Sequence, residues 1–412
     1  MRLLLVLIAL ILPGFIVADS IQLGIDRVFD APISDKLKGQ KIGLITNQTG
    51  VNSKLQKTIN LFYAKQNELG YELRALFGPE HGIYGDHYAG EHVASTTFLN
   101  TIPIYSLHGQ TRRPTDEMLK DITLLVFDIQ DIGSRPYTYT STLFYCMEEA
   151  AKKNIAVMVL DRPNPINGTT VDGPMLEPEF RTFLGYCNVA YCHGMTIGEL
   201  ALFFNEQYNI NCTLHIVAMN GWKRWMSFQD TGLIWIPTSP NVTESTTCAF
   251  FPATGMLGEM YLTSIGIGYT LPFKVVGAPW IEASRFSQAL NAQHLRGVVF
   301  HDWRFRPFMY RFAATPCQGT LIAITDQARF LPVTTQFLIL SVLKELYPKQ
   351  TIEVLKSLQQ DPKNFYKVCG TKAVLDILLA EAKPFSRLTT VHKAERERFL
   401  QIRKKYLIPE YS

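Results

Sequence analysis

Four short runs constrain this chain more than anything else in it. Residues 41–46, 73–77, 122–127 and 155–160 are nearly all apolar, rich in β-forming side chains and separated by long connections. A strand that meets water on one face alternates apolar and polar residues, whereas a run without alternation is buried on both faces. The connections 55–70, 115–120 and 140–154 have helical content, so the pattern predicts a parallel sheet with crossover helices, an α/β fold.

The polar residues at the end of each run decide where chemistry can sit. Asn47-Gln48-Thr49 ends the first, Glu80-His81 the second, Asp128, Gln130 and Asp131 the third, and Asp161-Arg162-Pro163-Asn164-Pro165 the fourth. Parallel strands bring all four ends to one edge, and so to one crevice. At the second end, Gly78-Pro79 stops the strand and presents a carboxylate and an imidazole together in a loop. Taken alone, that pair fits a solvated Glu and a hydrogen-bonded loop His equally well; four polar strand ends together point to a site. Further on, Thr196 and Glu199 have the spacing of a capping box, which makes Glu199 structural.

A chain of 412 residues is long enough for two domains and a substantial core. With 47% hydrophobic and 18% charged residues and a net charge of +4, it shows no sign of disorder and no need of a nucleic-acid partner. From about residue 249 the chain turns to Gly-rich turns and then the helical stretches 335–347 and 394–406, which predicts a smaller α+β domain. The division expected is 19–245 and 246–412. Before it, residues 1–18 carry a basic start, an apolar run at 3–12 and a small residue, Ala18, ahead of Asp19. This is the pattern of a secretory signal peptide, and it predicts a periplasmic or secreted protein with no stable membrane insertion after cleavage. The seven cysteines are odd in number, contain no CxxC and match no zinc spacing, so mostly buried thiols are expected.

Longer motifs run through the same segments: Gly43-Leu44-Ile45-Thr46-Asn47-Gln48-Thr49-Gly50, Phe77-Gly78-Pro79-Glu80-His81-Gly82, Ala89-Gly90-Glu91 and Phe127-Asp128-Ile129-Gln130-Asp131-Ile132-Gly133-Ser134-Arg135. Tyr137-Thr138-Tyr139, Asp161 to Pro165, His193-Gly194-Met195-Thr196, Gly221-Trp222 and Ser239-Pro240-Asn241 come after them in order. Together they resemble the exo-acting β-N-acetylmuramidases of the NamZ type, formerly a domain of unknown function, over nearly all of the mature chain. The resemblance implies a Rossmann-like N-terminal domain with the active site, a smaller C-terminal domain, and release of N-acetylmuramic acid from the non-reducing ends of peptidoglycan fragments. It places the catalytic glutamate on Glu80 and adds Glu91, His193 and Glu259 to the substrate-binding candidates. It implies no cofactor and no metal. The expected partners are muropeptides or glycan disaccharides, with a homodimer left open. Two positions depart from the family pattern, Ile267 where an arginine is usual and Tyr84 where a basic residue is common, which leaves the accepted sugar open.

Glycoside cleavage needs an acid for the leaving oxygen and a second group to attack or to stabilise positive charge. Glu80 is the best acid candidate, with burial expected to raise its pKa, while Asp128 and Asp131 are expected to stay ionised opposite it. Which of the two is second stays open, as does a route in which the substrate's acetamido oxygen attacks. Arg135 and Arg162 are candidates to grip a carboxylate, and Asn47, His81, Tyr139 and Asn164 to bind hydroxyls, with Asp161 beside them. Each has an alternative as a structural partner. A zinc hydrolase is suggested by Glu80, His81, Asp86, His87, Glu91 and His92 crowding one loop, but HExxH is absent. A nicotinamide oxidoreductase would need a GxGxxG that the first strand lacks. A non-catalytic sugar-binding relative remains the third alternative.

Overall fold

The computed structural model describes residues 21–362 and 364–412, so the expected signal peptide, 1–18, lies outside the described residues. One sheet contains seven strands: β1 (Lys41–Thr46), β2 (Glu72–Gly78), β3 (Thr96–Phe98), β4 (Ile102–Ser106), β5 (Leu124–Asp128), β6 (Ala156–Leu160) and β7 (Leu214–Val217). Their order is β3-β4-β2-β1-β5-β6-β7, parallel throughout except between β3 and β4. The four expected strands are the central β2, β1, β5 and β6. Outside them lie β3, β4 and β7, which the apolar runs do not announce: β3 has three residues and β4 contains Pro103.

The central runs are unbroken because each strand serves two cores. Ile45, Phe77, Leu125, Phe127, Val157 and Val159 pack into one apolar cluster. Their neighbours Ile42, Leu44, Leu76, Leu124, Val126, Met158 and Leu160 point the other way, into a second. Alternate side chains of a strand face opposite sides, so a sheet covered twice needs apolar residues at every position. One cover comes from α1 (Gly24–Arg27) and α2 (Thr58–Leu69), through Ile25, Ile59 and Phe62. The other comes from α3 (Tyr139–Lys152) and α4 (Ile197–Gln207), where Phe144 stacks on Phe204 with centroids 4.1 Å apart. The stretch 115–120 forms turns, not a helix, since six residues offer few bonds against the cost of a helical nucleus.

Beyond α5 (Thr247–Glu259), the C-terminal half holds a three-stranded antiparallel sheet of β8 (Val275–Ala278), β9 (Val298–Phe305) and β10 (Cys317–Ile324), with β10 in the middle. Helices α6 (Ala283–Asn291), α7 (Pro332–Leu346), α8 (Pro348–Gln360), α9 (Phe365–Cys369), α10 (Ala373–Ala380), α11 (Phe385–Thr390) and α12 (Lys393–Ile402) complete it. The fold is therefore mixed α/β, a largely parallel sheet with a second small sheet and a helical C-terminal region. All seven cysteines are free and buried. Among the described residues no helix is long and apolar enough to cross a membrane.

The two halves are not separate beads. A single apolar cluster runs from Ile45 through α5 and α7 to Tyr406, and the last residues return to the N-terminal sheet. Tyr411 is fully buried, its ring edge-on to Trp222 at 5.0 Å. Its hydroxyl donates to Asp161 Oδ2 at 2.6 Å and accepts the Met219 N–H at 2.9 Å. Tyr411→Ala removes a large ring and a buried carboxylate's partner together. It is expected to lower the unfolding free energy by about 3–5 kcal/mol in a denaturant titration; a loss under about 1 kcal/mol would mean that the tail is a passive appendage.

Candidate active site

In an open parallel sheet the usual crevice lies where the strand order reverses, here between β1 and β5. At that point this chain places a buried ion pair. Asp128, at the end of β5, receives Arg162 Nε on Oδ1 at 2.6 Å and Arg162 Nη2 on Oδ2 at 2.9 Å, while the Thr58 hydroxyl donates to Oδ2 as well. Arg162 Nη2 also donates to the Val51 carbonyl. Asp128 and Arg162 are 0% and 4% exposed. The Thr46 hydroxyl reaches the Asp128 carbonyl, and the Gln130 N–H reaches the Thr49 hydroxyl. The carboxylate expected to face the substrate and the arginine expected to clamp it pair with each other at the ends of β5 and β6.

Other strand-end groups are spent the same way. Asp161 accepts from the Arg162 and Gly198 amides on Oδ1, and from the Thr196 and Tyr411 hydroxyls on Oδ2. Burial still pushes its carboxyl up to about 6. Asn164 bridges the Met195 carbonyl and the Ile166 amide, and Gly133, at φ +81°, has no room for a Cβ beside it. Arg135 is buried in a cage of four carbonyls, those of Pro174, Val189, Val368 and Cys369, and so pins the two halves together. His193 accepts the Met195 N–H on Nδ1, and burial, with the Arg403 charge beside it, pushes it down to about 3. Asp161, Asn164, Arg135 and His193 are thus held by partners inside the protein, while His193 Nε2 is buried with no hydrogen-bond partner. Glu259, half-buried at the end of α5, has its carboxyl raised by burial and lies close enough to Tyr191 to raise that hydroxyl. Glu199 is structural as expected: it completes the capping box with Thr196 and pairs with Arg224.

Asp131 stands apart. Its Oδ2 accepts the Gly133 N–H at 2.7 Å, and its Oδ1 is buried with no partner. Burial pushes this carboxyl up to about 7, against the expectation of an ionised group. Asn47 is half-spent: its Oδ1 accepts from the Thr49 amide and hydroxyl, while its Nδ2 lies beside Tyr139 with no acceptor in bonding geometry.

Glu80 is different because a loop and a helix are built around it. After β2 the chain turns through Pro79-Glu80-His81-Gly82, closed by the Gly82 N–H on the Pro79 carbonyl, with His81 left-handed at φ +69°. His81 Nδ1–H donates to the His87 carbonyl at 2.8 Å, so the ring braces the loop, and burial lowers its pKa. The loop then curls back until the Gly90 N–H meets Glu80 Oε1 at 3.0 Å. On the other side the Thr138 hydroxyl donates to Oε2 at 2.6 Å. Thr138 is the N-cap of α3, yet its side chain serves Glu80 and leaves the helix uncapped. His108, beyond β4, brings Nε2 to 3.8 Å from Oε1. Behind them, Tyr137 and Tyr139 pack edge to face at 4.9 Å and donate to the hydroxyl and carbonyl of Thr238.

Burial pushes the Glu80 carboxyl up, but the Thr138 hydroxyl, the His108 imidazole, the Gly90 amide and the His81 imidazole together hold it below the usual carboxylate range. Burial alone implies the reverse. The positive end of α3 acts in the same sense as these donors. Of the expected residues, the fold gathers Glu80, His81, Tyr139, Asn47 and, through its backbone carbonyl, Glu91 on this side of the crevice. Thr138, His108, Tyr137 and Thr238 were not expected. His108 had a signal, the apolar stretch ending at Tyr105 ahead of Ser106-Leu107-His108-Gly109, which is a fifth polar strand end. Among the described residues, no three His, Cys, Asp or Glu side chains come together to hold a metal ion.

Comparison with known proteins identifies the family. The N-terminal model of the exo-β-N-acetylmuramidase NamZ family matches residues 42–246 and its C-terminal model residues 249–408. The chain belongs to the NamZ family. It is thereby an enzyme of the glycoside hydrolase class. A peptidoglycan β-N-acetylmuramidase of Bacillus subtilis is 39% identical over 389 residues, 94% of this chain and 91% of the relative. A DUF1343 family protein of Bacteroides fragilis superimposes with a TM-score of 0.85 at 37% identity, covering 94% of this chain and 98% of the other. A second protein of that family and organism has a TM-score of 0.69 at 24% identity, over 94% and 99% of the two chains, and shares the fold.

The buried Asp131 makes a prediction about pH. Its folded carboxyl keeps a proton that the unfolded chain has released between about pH 4 and about pH 7, so stability falls as pH rises through that window. Asp131→Asn removes the effect. The stability of the variant relative to the natural protein is expected to rise between pH 4.5 and pH 7.5, by on the order of 4 kcal/mol at most. A difference independent of pH would show that Asp131 is not held protonated by burial.

Proposed function

We propose that this chain is an exported exo-β-N-acetylmuramidase that releases N-acetylmuramic acid from the non-reducing ends of peptidoglycan fragments, with Glu80 as the general acid. The observation that carries the reading is the treatment of Glu80. Asp128 and Asp161 are saturated by internal partners and Asp131 is sealed in, whereas Glu80 is 13% exposed and oriented by two donors. The B. subtilis relative, by its name a peptidoglycan β-N-acetylmuramidase, supports the substrate class. Export rests on the signal-peptide pattern of residues 1–18 and implies a periplasmic or secreted enzyme.

The two carboxylate oxygens have different duties. The Gly90 N–H can only donate, so Oε1 is committed to accepting. A hydroxyl can rotate to donate or accept. The transferable proton therefore sits on Oε2, with Thr138 turning to receive its hydrogen bond until the glycosidic oxygen takes the proton. A bound glycan covers the open face and removes the remaining water, which raises the carboxyl and favours the acid form. With Asp128 in an ion pair and Asp131 buried and proton-holding, the second group is best supplied by the substrate's own acetamido oxygen attacking the anomeric carbon.

The wild-type protein is expected to liberate free N-acetylmuramic acid from a defined muramic acid-terminated disaccharide. Glu80→Gln, which preserves size and the Gly90 contact, should lower kcat by about a hundredfold or more with substrate binding intact. Full turnover by the variant would remove Glu80 from the mechanism; binding without cleavage by the wild type would favour the non-catalytic sugar-binding alternative.

A further inference from the structure

We propose that His108 and Glu80 hold one proton between them, with His108 as the positioning residue that keeps the catalytic carboxyl supplied and oriented. The inference rests on the reading of Glu80 as the acid. It starts from a tautomer. His108 Nδ1 lies 3.1 Å from the Glu91 carbonyl oxygen, which can only accept, so Nδ1 carries a hydrogen. In the neutral ring, Nε2 is then a bare lone pair, and it points at Glu80 Oε1 from 3.8 Å. A lone pair facing a carboxylate across a site where the two side chains are 6% and 13% exposed is repulsive. A proton on Nε2 removes the conflict, and a proton on the carboxyl lessens it by removing the negative charge.

The ring has little freedom to turn away. It packs against Phe183 at 5.9 Å, with the Arg112 guanidinium on that same ring at 4.4 Å, and its own carbonyl accepts the Val93 N–H. The groups that face the pair are His81 in the Glu80 turn, Tyr139 at the start of α3, and the Gly90 amide and Glu91 carbonyl of the loop. Through Glu91, His108 also fastens the loop that delivers the Gly90 N–H. A proton shared in this way gives the pair two coupled ionisations in place of one carboxyl titration.

His108→Gln tests this, because an amide of that length can still approach Glu80 yet cannot titrate. The wild type is expected to show two ionisations in the kcat/KM profile for the disaccharide, one on each side of the one-proton form, and His108→Gln only one. The variant should lose about tenfold to a hundredfold in kcat at pH 7 with KM changed by less than about twofold. His108→Asn, which retains a donor near Nδ1 for Glu91, should keep the thermal midpoint while also losing one ionisation. Identical profiles in the wild type and both variants would overturn the shared proton. That result differs from failure of the underlying reading, in which Glu80→Gln itself would remain active.

Discussion

The buried pair of Asp128 and Arg162 is the interaction on which the arrangement depends. It joins the ends of β5 and β6, takes in the carbonyl after β1 at Val51 and the first residue of α2 at Thr58, and leaves no charge at the switch point unpaired. A pair this deep gains little over well-packed apolar residues, because desolvation offsets attraction, but losing one partner strands a buried charge at a cost of about 3–5 kcal/mol. Its value lies in position. It fixes the strand ends against one another, and the carboxylate proposed to act, Glu80, stands two strands away, at the end of β2.

That separation explains what could and could not be seen beforehand. The four central strands were legible because a doubly covered sheet leaves no polar alternation, and the convergence of their ends comes from parallel topology alone. The resemblance singled out Glu80 among the polar ends, but which of the others are tied up by internal partners was not legible. Asp128, Asp161, Arg135, Arg162 and Asn164 look as reactive in the sequence as Glu80 does, and only tertiary partners distinguish them: a guanidinium, a tyrosine from the last two residues, four carbonyls, a backbone bridge. Thr138 and His108 were missed for the complementary reason. Each lies near Glu80 only because a loop folds back or a short Pro-containing strand joins the sheet.

The microenvironment of Glu80 combines opposing forces. Burial disfavours charge there, while a hydroxyl, an amide, two imidazoles and a helix N-terminus favour it more strongly. In the proposed mechanism this balance leaves the unliganded carboxyl ready to accept, and substrate binding is the event that turns it into a donor. Holding Oε1 by a fixed N–H and Oε2 by a rotatable O–H determines which oxygen can release a proton and in which direction. The left-handed His81, braced by the His87 carbonyl, sets the turn that aims the side chain.

The role assigned to Glu80 is tested most directly by how its removal depends on the leaving group. An acid is needed for a sugar alkoxide and hardly at all for a dinitrophenolate, which departs unaided. Glu80→Ala is predicted to cleave a dinitrophenyl N-acetylmuraminide within about tenfold of the wild-type rate while losing about a thousandfold or more on the disaccharide. An equal loss on both substrates would contradict the account, because it would show that Glu80 contributes something other than the proton.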